Sequence, residues 1–149
     1  MMWFTHIVFG LFLGLLSLRF VSPASPGTFV FLVSLAALFP DVDHPHSLIN
    51  KKFALTRWAS HLLTHRGFFH SLFPVILLYL LVVPFSKDMA FALSLGYLSH
   101  VFIDGFTKMG VNLLHPFTSL RLQGFIETGS VAEWLVFGIV VVGIVALVL

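Results

Sequence analysis

His100 and Asp104 stand four residues apart in the stretch Gly96-Tyr97-Leu98-Ser99-His100-Val101-Phe102-Ile103-Asp104-Gly105. On a helix that spacing puts both side chains on one face. Together they offer a nitrogen and an oxygen ligand to a divalent ion such as Zn, Mn or Fe. The same pair would equally serve as a hydrogen bond tying two helices. An ionisable pair in so apolar a stretch points to function. A second cluster is Pro40-Asp41-Val42-Asp43-His44-Pro45-His46. Its prolines forbid a continuing helix, and two carboxylates this close repel unless a cation holds them. A solvated turn at a helix end is the plainer reading. The third is His65-Arg66-Gly67-Phe68-Phe69-His70-Ser71, two imidazoles around an arginine. That arginine can pair bidentately with a phosphate or carboxylate, and a basic cluster at a membrane surface is the alternative. His6 adds a further imidazole near the start. His44 is a ligand or a proton carrier, while His46 and His61 read as solvent-facing and His115 as a loop anchor. Glu133 is either a further ligand or an interfacial acid. Ser71 and Ser99 have no evident role as nucleophiles.

The elements that must position these residues are apolar. Of 149 residues, 58% are hydrophobic and 9% charged, against about 25% charged in a soluble domain. Too little polar surface remains to face water, so an integral membrane protein of one domain is expected. The net charge of +2 gives no grip for nucleic acid, and with no cysteine any metal must be held by His, Asp, Glu and water. Five runs, at about residues 2–20, 26–40, 69–85, 89–106 and 131–149, read as spans, the second shorter than the roughly 20 residues a hydrocarbon core takes. The first carries no Lys or Arg ahead of its apolar run, so it reads as an uncleaved span and not a signal peptide. Its Gly10, Gly14 and Ser17 share a face with His6 and would let another helix approach. The segment from Ser47 to Thr64, with Lys51, Lys52, Arg57 and Trp58, reads as a helix lying in the interface.

Spans that alternate direction bring His6, the Asp41–His46 cluster, His65, His70, His100, Asp104 and Glu133 to one membrane face. The other face keeps only Arg19, Lys87 and Asp88. Lys51, Lys52, Arg57, Arg66, Lys108 and Arg121 also fall on the ligand-rich side, which the positive-inside rule places in the cytoplasm together with the N-terminus. So many donors exceed one tetrahedral site and allow two ions. Two metals about 3.5–4 Å apart activate a water and clamp both oxygens of a phosphoester displacement.

These motifs resemble those of the YdjM-like membrane-bound metal-dependent hydrolases, a LexA-regulated inner-membrane family. The resemblance lies in Thr5-His6, Pro40-Asp41-Val42-Asp43-His44-Pro45, His65-Arg66-Gly67-Phe68-Phe69-His70-Ser71 and Gly96-Tyr97-Leu98-Ser99-His100 with Asp104, and continues through Gly110 and Leu113-Leu114-His115-Pro116-Phe117. Phe69 departs from it, standing where the family often has Thr. The resemblance implies metal binding and hydrolysis. The order His, Asp, His, then His-x-x-x-Asp is loosely similar to zinc-dependent phospholipase C and favours a phosphoester.

The expectation is an all-α integral membrane protein, a bundle of five transmembrane helices with an interfacial helix between spans two and three. Its ligands would be His6, Asp41, His70, His100 and Asp104, with Asp43 and His65 next in line. They would hold one or two divalent ions, Zn foremost and Mn or Fe as substitutes. Arg66 would bind the anionic part of a lipid or lipid-linked substrate, and His44 or Asp43 would take a proton. The protein would reside in the inner or plasma membrane as a multi-pass hydrolase with its site in the cytoplasm. A divalent metal-ion transporter and a non-catalytic membrane scaffold are the rival readings.

Overall fold

The computed structural model describes residues 1–43 and 68–149, with the side chains of Val42 and Asp43 excepted. The expected interfacial helix, and with it His44, His46, His61, His65 and Arg66, lies outside the described residues. Within them the chain forms α1 (Trp3–Ser17), α2 (Pro26–Ala36), α3 (Leu72–Val82), α4 (Lys87–Asp104) and α5 (Val131–Val148). Two 3-10 turns, Phe39–Asp43 and Phe68–His70, follow α2 and precede α3. The described architecture is all-helical, with only two isolated β-bridges in the α4–α5 connection.

Local chemistry sets the boundaries. Pro26 opens α2 at a position whose N–H would have no partner in any case. Serine hydroxyls at Ser71, Ser86 and Ser130 accept from Phe73 N, Met89 N and Glu133 N, capping α3, α4 and α5. The helices are shorter than the spans expected from apolar runs. α1 stops at Ser17, whose hydroxyl bonds back to Gly14 O at 2.7 Å. α2 stops at Ala36 because Pro40 cannot extend it, and the chain tightens into a 3-10 turn. α3 begins only at Leu72, after the turn that carries His70.

α2 and α3 have 11 residues each, and a helix of that length rises about 16 Å, roughly half of a hydrocarbon core. Among the described residues α5 alone, 18 residues with mean hydropathy 2.6, is long and apolar enough to cross a membrane by itself. α4 matches it in length but includes Lys87, Asp88 and Asp104.

α4 lies at the centre, packed on α1, α2 and α3, while α1 also packs on α2 and α5. Phe29, Val30, Val33 and Ala92 form the core between α2 and α4. Glycine allows the close approach. A Cβ at Gly96 would strike the backbone carbonyl of Val33, and one at Gly10 would sit 2.9 Å from Ala37 Cβ. The outer faces stay apolar, with Ile76, Leu80, Leu135, Ile139 and Val142 all exposed. A patch that large is a surface for lipid or for another protein.

Candidate metal centre

The last turn of α4 is the hub. His100 Nδ1 lies 2.7 Å from the carbonyl of Ala37, the residue that ends α2. A carbonyl can only accept, so Nδ1 carries the proton and Nε2 presents its lone pair to the interior. Nε2 makes no hydrogen bond among the described residues. It stands 3.6 Å from Asp41 Oδ1 and 3.8 Å from Asp104 Oδ2. His70 Nε2 faces the same two oxygens, 3.8 Å from each.

Four of the six edges of this set run 3.6–3.8 Å. The edges are too long for N–H···O hydrogen bonds, which run at about 2.7–3.2 Å. Asp41, His70 and His100 make one group of donors able to hold a divalent ion, and Asp104 stands beside both histidines.

His6 extends the centre. Its Nε2 is 3.5 Å from Asp104 Oδ1, the other oxygen of that carboxylate. Its ring stacks on His100, centroids 3.7 Å apart and planes within 9°. His6, His100 and Asp104 form one potential ion-holding group, and Asp41, His70 and His100 another. His100 has only Nε2 to give, so a second ion would draw chiefly on His6 and Asp104. The Met1 amino group also donates to Asp104 Oδ1, at 2.5 Å.

Burial is nearly complete for His6, His70, His100 and Asp104, whereas the Asp41 side chain is 30% exposed. Asp104 is thus dry although it stands at a helix end.

Of the residues singled out from sequence, the structure brings together His6, Asp41, His70, His100 and Asp104. Asp43 belongs to the same 3-10 turn as Asp41. His44, His65 and Arg66 lie outside the described residues. Glu133 does not join the centre. Its carboxylate accepts from Met2 N at 2.6 Å, Thr5 Oγ1 at 3.0 Å and Gly129 N at 2.7 Å, and so ties the start of α1 to α5. Ser71 and Ser99 spend their hydroxyls on Phe68 O and Gly96 O.

Two positioning contacts escaped the sequence reading. Tyr97 donates its hydroxyl to Phe69 O at 2.8 Å and holds the turn that aims His70. Its spacing of three from His100 puts it on the same helical face, a signal that was there to read. The Ala37 carbonyl leaves no mark in a side-chain pattern.

A buried centre of imidazoles and carboxylates, built at the ends of apolar helices, defines the class as helical proteins with a His/Asp site able to hold a metal. The chain belongs to the YdjM inner membrane protein family, whose match runs over residues 1–149. It is similar to YvsG of Bacillus subtilis (strain 168), a protein named as uncharacterized, at 35% identity over 69% of this chain and 67% of that one. Inner membrane protein YdjM of Escherichia coli (strain K12) is 39% identical over 55% of this chain. The chain spans about half the length of that relative, 46%. The protein of the same name from Shigella flexneri matches to the same extent. No solved structure matches the chain significantly.

Proposed function

We propose that this chain is a multi-pass inner-membrane hydrolase that uses one or two divalent ions on a lipid phosphoester. The observation that carries the reading is the four-atom set of Asp41, His70, His100 and Asp104, with edges of 3.6–3.8 Å. Three separate segments supply it, and a merely structural His–Asp tie would close to hydrogen-bond distance. Zn fits the donor set best, and Mn or Fe would substitute. A divalent ion supplies Lewis-acid polarisation of a phosphoryl oxygen and a nucleophile at neutral pH.

The chain's own residues do the rest. His70 and His100 hold neutral nitrogens toward the centre, and Asp104 balances the positive charge from below. Asp41, the more open member, lies where substrate enters. Asp43 and His44 follow it in sequence and are the candidates to accept a proton, with Arg66 the candidate to bind the phosphate. In this reading α1, α2, α3, α4 and α5 make five passes, the short α2 and α3 being completed by their flanking turns. The excess of basic residues on the ligand side supports a cytoplasmic centre in this reading. A site at the bundle's end meets lipid headgroups first, whereas a carrier would need its ligands near the midplane.

The test is metal analysis of detergent-purified protein followed by phosphate release from lipid vesicles. Stoichiometric zinc, with release abolished in Asp41→Ala and His100→Ala, is the expected result. Protein that holds no transition metal, with both variants behaving like the parent, overturns it. Metal uptake into proteoliposomes without phosphate release would favour transport instead.

A further inference from the structure

Residues 105–130 join α4 to α5 and fold into a lobe at the same end of the bundle as the metal centre. The lobe's backbone is largely paired with itself. Val111 and Leu122 exchange N–H···O bonds of 2.9 and 2.8 Å, Lys108 N donates to Ile126 O at 2.9 Å, and Ile126 N to Phe106 O at 3.0 Å. Thr107, Val111 and Ile126 are buried, Val111 against Tyr97 and Val101 of α4 and Ile126 against Met1 and Ile103. A lobe of this build in water would turn polar side chains outward. This one turns out Phe117, Leu120 and Phe125, each 78–80% exposed, and Leu122 at 54%.

The apolar surface does not stop at the lobe. Phe106 packs on Phe102, centroids 5.2 Å apart, and Phe102 is exposed on the outer face of α4. Phe117 packs on Phe73 in the first turn of α3, again at 5.2 Å. The surface therefore runs on from the lobe to the outer faces of two helices. Charged groups accompany it. Lys108 and Glu127 pair at 2.8 Å and are 61% and 68% exposed. Arg121 is exposed and, among the described residues, donates to the Met109 carbonyl at 3.4 Å.

We infer that residues 105–130 lie in the headgroup layer of the bilayer on the metal-centre side, with Phe117, Leu120 and Phe125 entering the acyl boundary. The inference rests on the membrane-spanning reading of α4 and α5. The occupant of the apolar surface is lipid because that surface continues faces which already meet lipid in that reading. Hydrocarbon depth is excluded by Lys108, Glu127 and Arg121, which are expensive there. Water is disfavoured by so much exposed aromatic surface. The interface accommodates aromatic rings beside basic groups, and paired backbone needs no solvent to satisfy it. The lobe would then set the height of the metal centre relative to the phosphates.

Single-tryptophan reporters test this. The three native tryptophans are replaced (Trp3→Phe, Trp58→Phe, Trp134→Phe), and Phe117→Trp, Leu120→Trp, Phe125→Trp or Ile139→Trp is added one at a time. All four positions are exposed, so the fold bears the change. Each protein goes into vesicles of phosphatidylethanolamine and phosphatidylglycerol carrying a spin label either near the headgroup or near the acyl-chain end. The expected result is a blue-shifted emission at the three lobe positions, quenched more by the shallow label, and deeper quenching at Ile139→Trp. Water-like emission with no quenching at the lobe overturns the inference. Blue emission without lipid quenching also overturns it, because a second copy of the chain then covers the surface. Stronger quenching by the deep label overturns it as well. Where Ile139→Trp is quenched and the lobe is not, the lobe inference alone fails; where neither is quenched, the spanning reading falls with it.

Discussion

His100 works as the hub because its two ring nitrogens are committed in opposite directions, Nδ1 to the Ala37 carbonyl and Nε2 to the centre. Removing it takes away a ligand and also leaves a buried carbonyl without a donor. His100→Ala should therefore lose metal by more than the about 10–100-fold that outer partners are worth, as read by competition with a chromophoric chelator. Tyr97→Phe is milder. It deletes one hydroxyl bond to Phe69 O, worth about 1 kcal/mol, and lets the His70 turn wander. Metal affinity should drop by roughly 10-fold with little change in helix content by circular dichroism. His6→Ala separates one ion from two. It spares Asp41, His70, His100 and Asp104, so one tightly held ion per chain should remain. Loss of all metal in that variant would show that His6 belongs to the first ion's shell.

Among the elements, the contact of α4 with α2 governs the centre, since α2 delivers both the Ala37 carbonyl and, one turn on, Asp41. Gly96→Ala places a methyl against the Val33 carbonyl, and overpacking of that kind costs about 1–3 kcal/mol. Thermal unfolding in detergent should show it, together with weakened metal binding, because α2 must shift. Glu133→Ala should act through α1. It strips an acceptor from the buried Thr5 hydroxyl as well as from Met2 N and Gly129 N, so thermal unfolding in detergent should come at a lower temperature. Much of this architecture was legible in sequence. The i, i+4 pair at His100, the D-x-D turn and the alternation of apolar runs lead to one ligand cluster, and His6, Asp41, His70, His100 and Asp104 do meet. Helix lengths were less legible, because an apolar run marks where a chain is greasy and not where capping serines and prolines stop it. Glu133 was ambiguous for a different reason. A buried carboxylate that caps a neighbouring helix and one that binds a metal have the same sequence context, and only its distance from the other acids separates them.

For the whole molecule, an ion held by donors from α1, α4 and the two 3-10 turns would make the centre a staple across the fold. An ion bound at a thousandfold over its Kd adds about 4 kcal/mol to stability. Dialysis against a chelator should therefore lower the unfolding temperature, and zinc should restore it. Acidification should do the same, because protons and metal compete for the same lone pairs. The surface pair Lys108–Glu127 behaves separately. The hydrogen bond from Lys108 holds the Glu127 carboxyl below the usual carboxylate range. Its small contribution is present above the unfolded-state carboxyl value and disappears as pH falls through the folded one. The gradient of exposure across the centre has a kinetic consequence. Among its described members, only Asp41 touches the outside. In the metal-binding reading, an arriving ion would meet that carboxylate first and a departing ion would leave it last, so the aspartate would act as a latch on the centre. Loading and unloading should share a single bottleneck, and Asp41→Asn should alter the tempo of exchange in both directions.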